Sequence, residues 1–98
     1  MAAIELITFR LADGADESSF LAADEAVRTG FLYQQPGIVR STTARADDGE
    51  WLLSVLWWSQ EAADAAAAKA EDDPTCASLW RHVDRSTFTR RCYSDLDG

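Results

Sequence analysis

Few side chains in this 98-residue sequence could act chemically on a small molecule, and they are scattered along it. Trp57 offers a flat indole with one N–H donor, whereas Tyr33, Tyr93 and the single histidine, His82, could donate or accept a proton. Glu5 would be a further base if its side chain faced the protein interior, but its position near the N-terminus predicts a solvent-facing side chain. These residues show no catalytic spacing, so only a fold could bring them together.

The sequence has no metal-ligand spacing either. Cys76 and Cys92 stand apart without a CxxC pair, and His82 is the only histidine, so a structural zinc is not expected. With two cysteines and no export signal we expect free thiols, although a disulfide between them stays open. No metal and no cofactor are predicted.

The formal net charge of −8 argues against several classes of partner. So acidic a chain repels phosphate groups, and we therefore expect it to bind neither nucleic acid nor anionic membrane surfaces. No apolar run approaches the roughly 18 residues of a membrane-spanning helix, and no basic leader opens the sequence. These features predict a cytoplasmic protein with no membrane partner.

Four arginines stand close together near the C-terminus: Arg81, Arg85, Arg90 and Arg91. A patch of this kind could bind an anion. We predict instead a solvated helix face with ion pairs, and we assign it no function.

Four segments have the β-branched and aromatic content of strands. They are AIELITFRL (3–11), IVRSTTAR (38–45), EWLLSVLWWSQ (50–60) and STFTRRCY (86–93). A hairpin joins the second and third, where Asp48 and Gly49 are expected to supply positive φ angles. Alternation in the third strand puts Trp51, Leu53, Val55 and Trp57 on one face and Leu52, Leu56 and Trp58 on the other. Both faces are apolar, so both need a cover.

Helix starts are marked by residues that can cap a first turn: Asp16, Ser59 and Asp73. The first helix carries Phe20, Ala23, Val27 and Phe31 at helical spacing and extends toward Pro36-Gly37. The second contains the alanine-rich AADAAAAKA, and a short third one starts at Pro74 and carries Leu79, Trp80 and Val83.

The order β-α-β-β-α-β predicts the α+β, ferredoxin-like fold as a single domain over 1–98, with a core over 3–93 and a polar tail over 94–98. Right-handed crossovers place the first and third strands in the middle of a four-stranded antiparallel sheet. The helices then lie on one face and leave the other bare. Because large exposed apolar patches are rare in monomers, we expect that face to meet a second copy of the chain, a ligand, or both.

Two stretches resemble the antibiotic-biosynthesis-monooxygenase-like branch of the dimeric α+β-barrel proteins. ELITFRLADGADESSF has that family's strand, glycine-containing turn and phenylalanine-led helix, and VLWWSQEAADAA is similar to its W-x-S-x-x-A signature at Trp57, Ser59 and Ala62. The resemblance spans 3–93. It implies a homodimer whose two sheets pack face to face, with room between each sheet and its helices for a small aromatic or apolar ligand. We expect such a ligand to contact Phe9, Trp57 and Trp80.

The catalytic residues of the family are not carried over as a set. Its cofactor-independent oxygenases of polyphenols and its haem-degrading enzymes both use an asparagine, and this sequence contains none. The alanines between Ala62 and Ala70 also offer neither the tryptophan nor the histidine of the haem-degrading relatives.

Two functions stay open on these residues. One is a cofactor-independent oxygenase that holds a planar aromatic substrate against Trp57 and Phe9, with Tyr33, Tyr93 or His82 as the base. The other is a homodimer that binds a ligand without catalysis or is purely structural, which the missing asparagine favours. Haem degradation is a weaker third hypothesis, since it would depend on one histidine.

Overall fold

The computed structural model describes residues 1–97, and Gly98, the last residue of the expected tail, lies outside the described residues. The elements are β1 (Ala3–Leu11), α1 (Glu17–Gly30), a short 3₁₀ helix (Leu32–Gln34), β2 (Ile38–Arg45), β3 (Trp51–Trp57), α2 (Gln60–Ala70), α3 (Pro74–Trp80) and β4 (Val83–Ser94). The four strands form one antiparallel sheet in the order β2-β3-β1-β4. The predicted α+β, ferredoxin-like βαββαβ fold is confirmed, including the central position of the first and third strands.

Each helix begins at the cap that the sequence predicts. Asp16, Ser59 and Asp73 accept backbone N–H hydrogen bonds in the first turns of α1, α2 and α3. Pro74 stands in the first turn of α3, where a missing N–H leaves no hydrogen bond unmade. Within 1–97, no helix combines the length and the apolar character needed to cross a membrane.

Several local boundaries differ from the sequence-based expectation. β3 ends before Trp58, which is 72% exposed, because the chain turns there into the cap of α2. Val83 opens β4 instead of closing the third helix, and α1 ends at Gly30, well before Pro36-Gly37. In the hairpin only Gly49 has a positive φ, because the Gly49 N–H closes a turn on the Ala46 carbonyl and a three-residue loop of this kind needs a positive φ only at its last residue.

The prediction that the four arginines form a solvated helix face is wrong. Arg85, Arg90 and Arg91 belong to β4, and Arg81 follows the last residue of α3. Successive residues of a strand point to opposite faces, so Arg90 and Arg91 point to opposite faces of the sheet.

The face of the sheet that packs against the helices, called here the inner face, is buried in two clusters. The packed half consists of Phe9, Phe20, Trp51, Leu79 and Val83. The open half consists of Ala3, Val55, Trp57, Ala63 and Ala66. α1 and α3 supply the helical side of the packed half, and α2 supplies that of the open half. One half is therefore built from large side chains and the other largely from alanines.

The opposite face, called here the outer face, has an apolar centre. Ile4 of β1 lies opposite Leu56 of β3, Leu6 lies diagonal to Leu52 and Leu56, and all four are only half-buried. None of the described helices covers this face. The bare apolar surface that the sequence predicts is therefore present.

Candidate functional site

A cavity of about 740 Å³ lies between the sheet and the helices α2 and α3, where the open half meets the packed half. Its walls are mainly apolar and include Ile7, Phe31, Leu53, Val55, Trp57 and Trp80. Cavities that hold small ligands commonly measure about 300–1,000 Å³ and have this apolar character. The interior of this small domain therefore has room for a molecule of several fused rings.

The cavity exists because α2 presents only methyl groups at this point. Ala66, Ala67 and Ala70 form the part of its wall that α2 supplies. Protein interiors normally close such gaps, because atoms facing empty space lose their dispersion contacts. A space of this size beside a well-packed aromatic cluster is therefore typical of a binding site, whereas a core is close-packed.

One carboxylate, that of Glu5, lies in the wall of the cavity and is only 6% exposed. The Trp57 Nε1–H donates to Glu5 Oε1 at 2.9 Å, and the Arg90 Nε–H donates to Glu5 Oε2 at 2.5 Å. A buried carboxylate is tolerated when it is paired and hydrogen-bonded, as both oxygens are here. The expectation of a solvent-facing Glu5 is wrong, because alternation along β1 puts it on the same face as Phe9.

The Arg90 guanidinium connects two carboxylates. Besides Glu5, its Nη2 lies 3.5 Å from Asp64 Oδ1 on α2, and 30% of its side chain is exposed. Burial by itself lowers the pKa of Arg90, but the hydrogen bond and charge of Glu5, aided by Cys92 and Asp64, raise that pKa above its ordinary value overall. The guanidinium therefore stays cationic and holds the Glu5 carboxylate in position.

An irregularity in β4 brings two further side chains to the cavity. Thr8 of β1 pairs with Thr89, yet two residues along β1 the partner on β4 is already Asp84. Extra residues on one strand bend it and redirect its side chains. Arg85 and Phe88 lie in this irregular stretch, and both line the cavity.

Cys76 of α3 also lines the cavity, and its side chain is buried. Burial, with a smaller contribution from Asp73, raises the pKa of its thiol to about 12. A thiol so rarely ionised near neutral pH is a poor nucleophile. Cys76 and Cys92 are both free, which agrees with the expectation of two thiols.

The three expected ligand contacts divide between the cavity wall and the core. Trp57 and Trp80 line the cavity. Phe9 is fully buried in the packed half, with its ring edge-on to Trp80 at 6.0 Å between centroids. Phe9 therefore supports the Trp80 ring from behind and does not itself reach the cavity.

The three expected bases lie elsewhere. Tyr33 is exposed, and its hydroxyl accepts the Ser41 N–H at 3.2 Å beside β2. Tyr93 lies on the outer face of β4, and His82 Nδ1 is 3.1 Å from the Ser78 carbonyl oxygen. Within 1–97, no group of three or more His, Cys, Asp or Glu side chains is arranged to hold a metal ion. The structure thus places Trp57 in the cavity wall, whereas Tyr33, Tyr93 and His82 do not line the cavity.

The sequence interpretation missed Glu5 and Arg90 as partners. A signal for Glu5 existed, since Ala3, Glu5, Ile7 and Phe9 alternate along one strand and must share a face. Arg90 gave no such signal, because its place opposite Ile7 depends on the register of β4 and on the irregularity that precedes it.

The fold is shared with solved structures of antibiotic-biosynthesis-monooxygenase-like proteins. SnoaB, a cofactor-independent oxygenase from Streptomyces nogalater, is 19% identical, with a TM-score of 0.79 over 96% of this chain and 92% of its own. Rv0793 from Mycobacterium tuberculosis is 18% identical, with a TM-score of 0.75 over 100% and 98%. A candidate antibiotic biosynthesis monooxygenase from Bordetella bronchiseptica is 13% identical, with a TM-score of 0.81 over 97% of each chain.

No protein-family model matches the sequence, and no curated protein matches it either. At these identities the solved structures establish a common fold over nearly the full chain. A shared fold does not by itself assign a reaction. The resemblance seen in the sequence is confirmed at the level of fold.

Proposed function

We propose that this chain binds a planar aromatic small molecule in the cavity and oxygenates it with O₂, without a bound cofactor, using Glu5 as the base. The observation that carries the proposal is the buried carboxylate, held by Trp57 and Arg90, in the wall of a largely apolar cavity. Glu5 replaces Tyr33, Tyr93 and His82 in this role because it lines the cavity and they do not.

The substrate class is an anthrone-like molecule, in which a CH₂ group is activated by flanking aromatic rings. Glu5 removes a proton from that carbon, and the carbanion passes one electron to O₂. The resulting radical and superoxide combine to a peroxide, which is protonated and loses water. The CH₂ group and O₂ thus become a C=O group and H₂O, and all four electrons come from the substrate, so no external reductant is consumed.

The surroundings of Glu5 suit this step. Two hydrogen bonds fix the carboxylate, and a fixed base spends less entropy on reaching its substrate. Flat indole surfaces at Trp57 and Trp80 favour a planar ring, and apolar walls keep water from a carbanion. The shared fold with SnoaB, a cofactor-independent oxygenase, supports the same reaction class.

A second function, ligand binding without catalysis, is favoured by one observation. Both Glu5 oxygens already accept a hydrogen bond, so a proton taken from a substrate would have to displace the Trp57 or the Arg90 donor. On this alternative the cavity stores or carries the aromatic molecule, and Glu5 only accepts a hydrogen bond from it.

We also propose that the outer face is covered by a second copy of the chain. Ile4, Leu6, Leu52 and Leu56 cluster there around Ser54, and apolar clusters of this kind are rarely left exposed. A pair of chains joined in this way leaves both cavities open, because each lies on the inner face of its own sheet.

Oxygen uptake on anthrone tests the catalytic proposal. We expect uptake with the wild-type chain, and near-background uptake with Glu5→Gln, which keeps the size of the side chain but removes the base. Glu17→Gln is the matched control, since Glu17 also pairs with an arginine, Arg45, but at the protein surface. Uptake by wild type no greater than by a Trp57→Ala variant, alongside saturable quenching of tryptophan emission by anthrone, would favour the non-catalytic function.

Light scattering on a sizing column tests the paired assembly. We expect twice the chain mass for wild type and the single mass for Leu56→Lys, because a charge in the apolar centre is not tolerated against a second sheet. Thr89→Lys, at the margin of the same face, should remain paired. A wild-type monomer would contradict the assembly and leave the cavity proposal to be tested separately.

A further inference from the structure

We propose that the ligand is an aromatic acid, and that Arg85 binds its carboxylate at the mouth of the cavity. This inference rests on the proposed function, because it names the chemical class of the molecule that the cavity takes. The basis of the inference is Arg85, which lines the cavity and takes part in none of the described ion pairs.

Arg85 is held against aromatic rings at the cavity wall. Its guanidinium carbon lies 5.9 Å from the ring centre of Trp80 and 5.8 Å from that of Phe88. These two rings meet edge to face, 5.3 Å apart, so they form a fixed support. Both rings therefore lie within cation–π distance of the Arg85 guanidinium.

Arg85 has no charged partner in the part of the chain that the structure describes. The described ion pairs join Arg10, Arg28, Arg45 and Arg90 to carboxylates. Arg85 and its neighbour on the cavity wall, Arg81, are exposed and make none of them. Two cations are therefore available at the mouth of the cavity.

The local charge at the mouth opposes the charge of the whole chain. Beyond the internal Glu5–Arg90 pair, the charged side chains lining the cavity are Glu71 against Arg81 and Arg85. An excess of positive charge at the cavity of a chain with a net charge of −8 favours an anionic ligand at that point.

A carboxylate fits this arginine better than other anions do. The guanidinium of an arginine carries two parallel N–H donors, and these match the two oxygens of a carboxylate. The acid group then stays in the solvent-exposed mouth, and the attached ring extends inward toward Trp57. The ligand thus has one charged end and one flat apolar body.

Quenching of tryptophan emission by a matched pair of probes tests the proposal. The probes are 9-anthracenecarboxylate and the neutral 9-anthracenemethanol, which share the same ring system. We expect wild type to bind the carboxylate more tightly than the alcohol by roughly tenfold, the usual strength of one charge-assisted contact. Arg85→Gln should remove this preference and leave the affinity for the alcohol within about twofold.

Arg91→Gln is the matched control. Arg91 also lies on β4 with its guanidinium over an aromatic ring, that of Tyr93 at 5.1 Å, but on the outer face. It should keep the full preference for the carboxylate, with its assembly state checked on a sizing column.

The outcomes separate this inference from the proposed function. Equal binding of both probes to wild type would overturn the role of Arg85 and leave an aromatic site in place. A preference that survives in Arg85→Gln would also overturn it. Binding of neither probe would overturn the inference together with the proposed function.

Discussion

The packed half and the open half lie under the same sheet, yet they differ in the size of the side chains that fill them. In the packed half, Phe20 contacts Phe9 and Trp51 with ring centres 5.6 and 4.8 Å away. In the open half, Val55 and Trp57 pack with Ala63 and Ala66 of α2, whose side chains are single methyl groups. Stability is concentrated in the aromatic cluster, and the alanines leave space for a ligand.

A single strand serves both halves. β1 places Phe9 in the packed half and Glu5 in the cavity wall, four residues away on the same face. A rigid cluster beside the cavity holds the strand that carries the base. A domain of this size can therefore keep a large cavity open when the rest of its core is aromatic.

The largest effect should come from the packed half. Phe20→Ala removes a fully buried ring, and we expect the free energy of unfolding to fall by about 3–5 kcal/mol. Urea denaturation measures this, with an unchanged m-value showing that the unfolding transition is the same. A loss below about 1 kcal/mol would mean that the packed half does not carry the stability.

Two alanines of α2 should respond differently to enlargement, because only one of them lines the cavity. Ala63 is fully buried and does not line the cavity, so Ala63→Leu should cost about 1–3 kcal/mol through overpacking. Ala67 lines the cavity, so Ala67→Leu extends into free space and should change the free energy of unfolding by less than about 1 kcal/mol. Equal losses for the two variants would mean that the space beside α2 closes in solution.

A smaller effect is expected at the start of α2. Ser59 accepts the Ala62 N–H at 3.1 Å, and Ser59→Ala leaves that donor without its partner. We expect a loss of about 1 kcal/mol in the free energy of unfolding, because an N-cap contributes that much. Ser59→Asp, which restores an acceptor, should recover most of the loss, and failure to do so would assign another role to the hydroxyl.

Cys76 should have an effect only in alkaline solution. The unfolded thiol loses its proton above its ordinary pKa of 9.0, whereas the folded thiol keeps it until about 12. The contribution of Cys76 is therefore complete below pH 9 and is lost as the pH rises toward 12. Thermal unfolding of wild type and Cys76→Ala across this range should give curves that converge, and parallel curves would contradict the shift.

The parts of the fold that depend on local chemistry could be predicted from the sequence. Asp16, Ser59 and Asp73 cap helices because a short side chain reaches its own backbone, whatever the rest of the chain does. The topology followed from the order of the elements. The face of Glu5 could also have been predicted from the alternation that placed Phe9 inside.

The cavity could not be predicted in this way. The alanines of α2 are compatible both with close packing and with a gap, and the difference depends on how far the packed half holds the helices from the sheet. The partnership of Glu5 with Arg90 depends on a register between strands at opposite ends of the sequence. Arg85 and Phe88 both line the cavity, although they are three positions apart, because β4 is irregular between them.

The claim that the space beside α2 binds a ligand is tested most simply with 9-anthracenemethanol. Quenching of tryptophan emission gives its affinity for wild type and for Ala67→Leu. If the space beside α2 is the ligand site, wild type should show saturable quenching, and the leucine should weaken binding by roughly tenfold or more while the chain stays folded. Equal binding to the two proteins, or no saturable binding to wild type, would contradict the claim that the open half is a ligand-binding cavity.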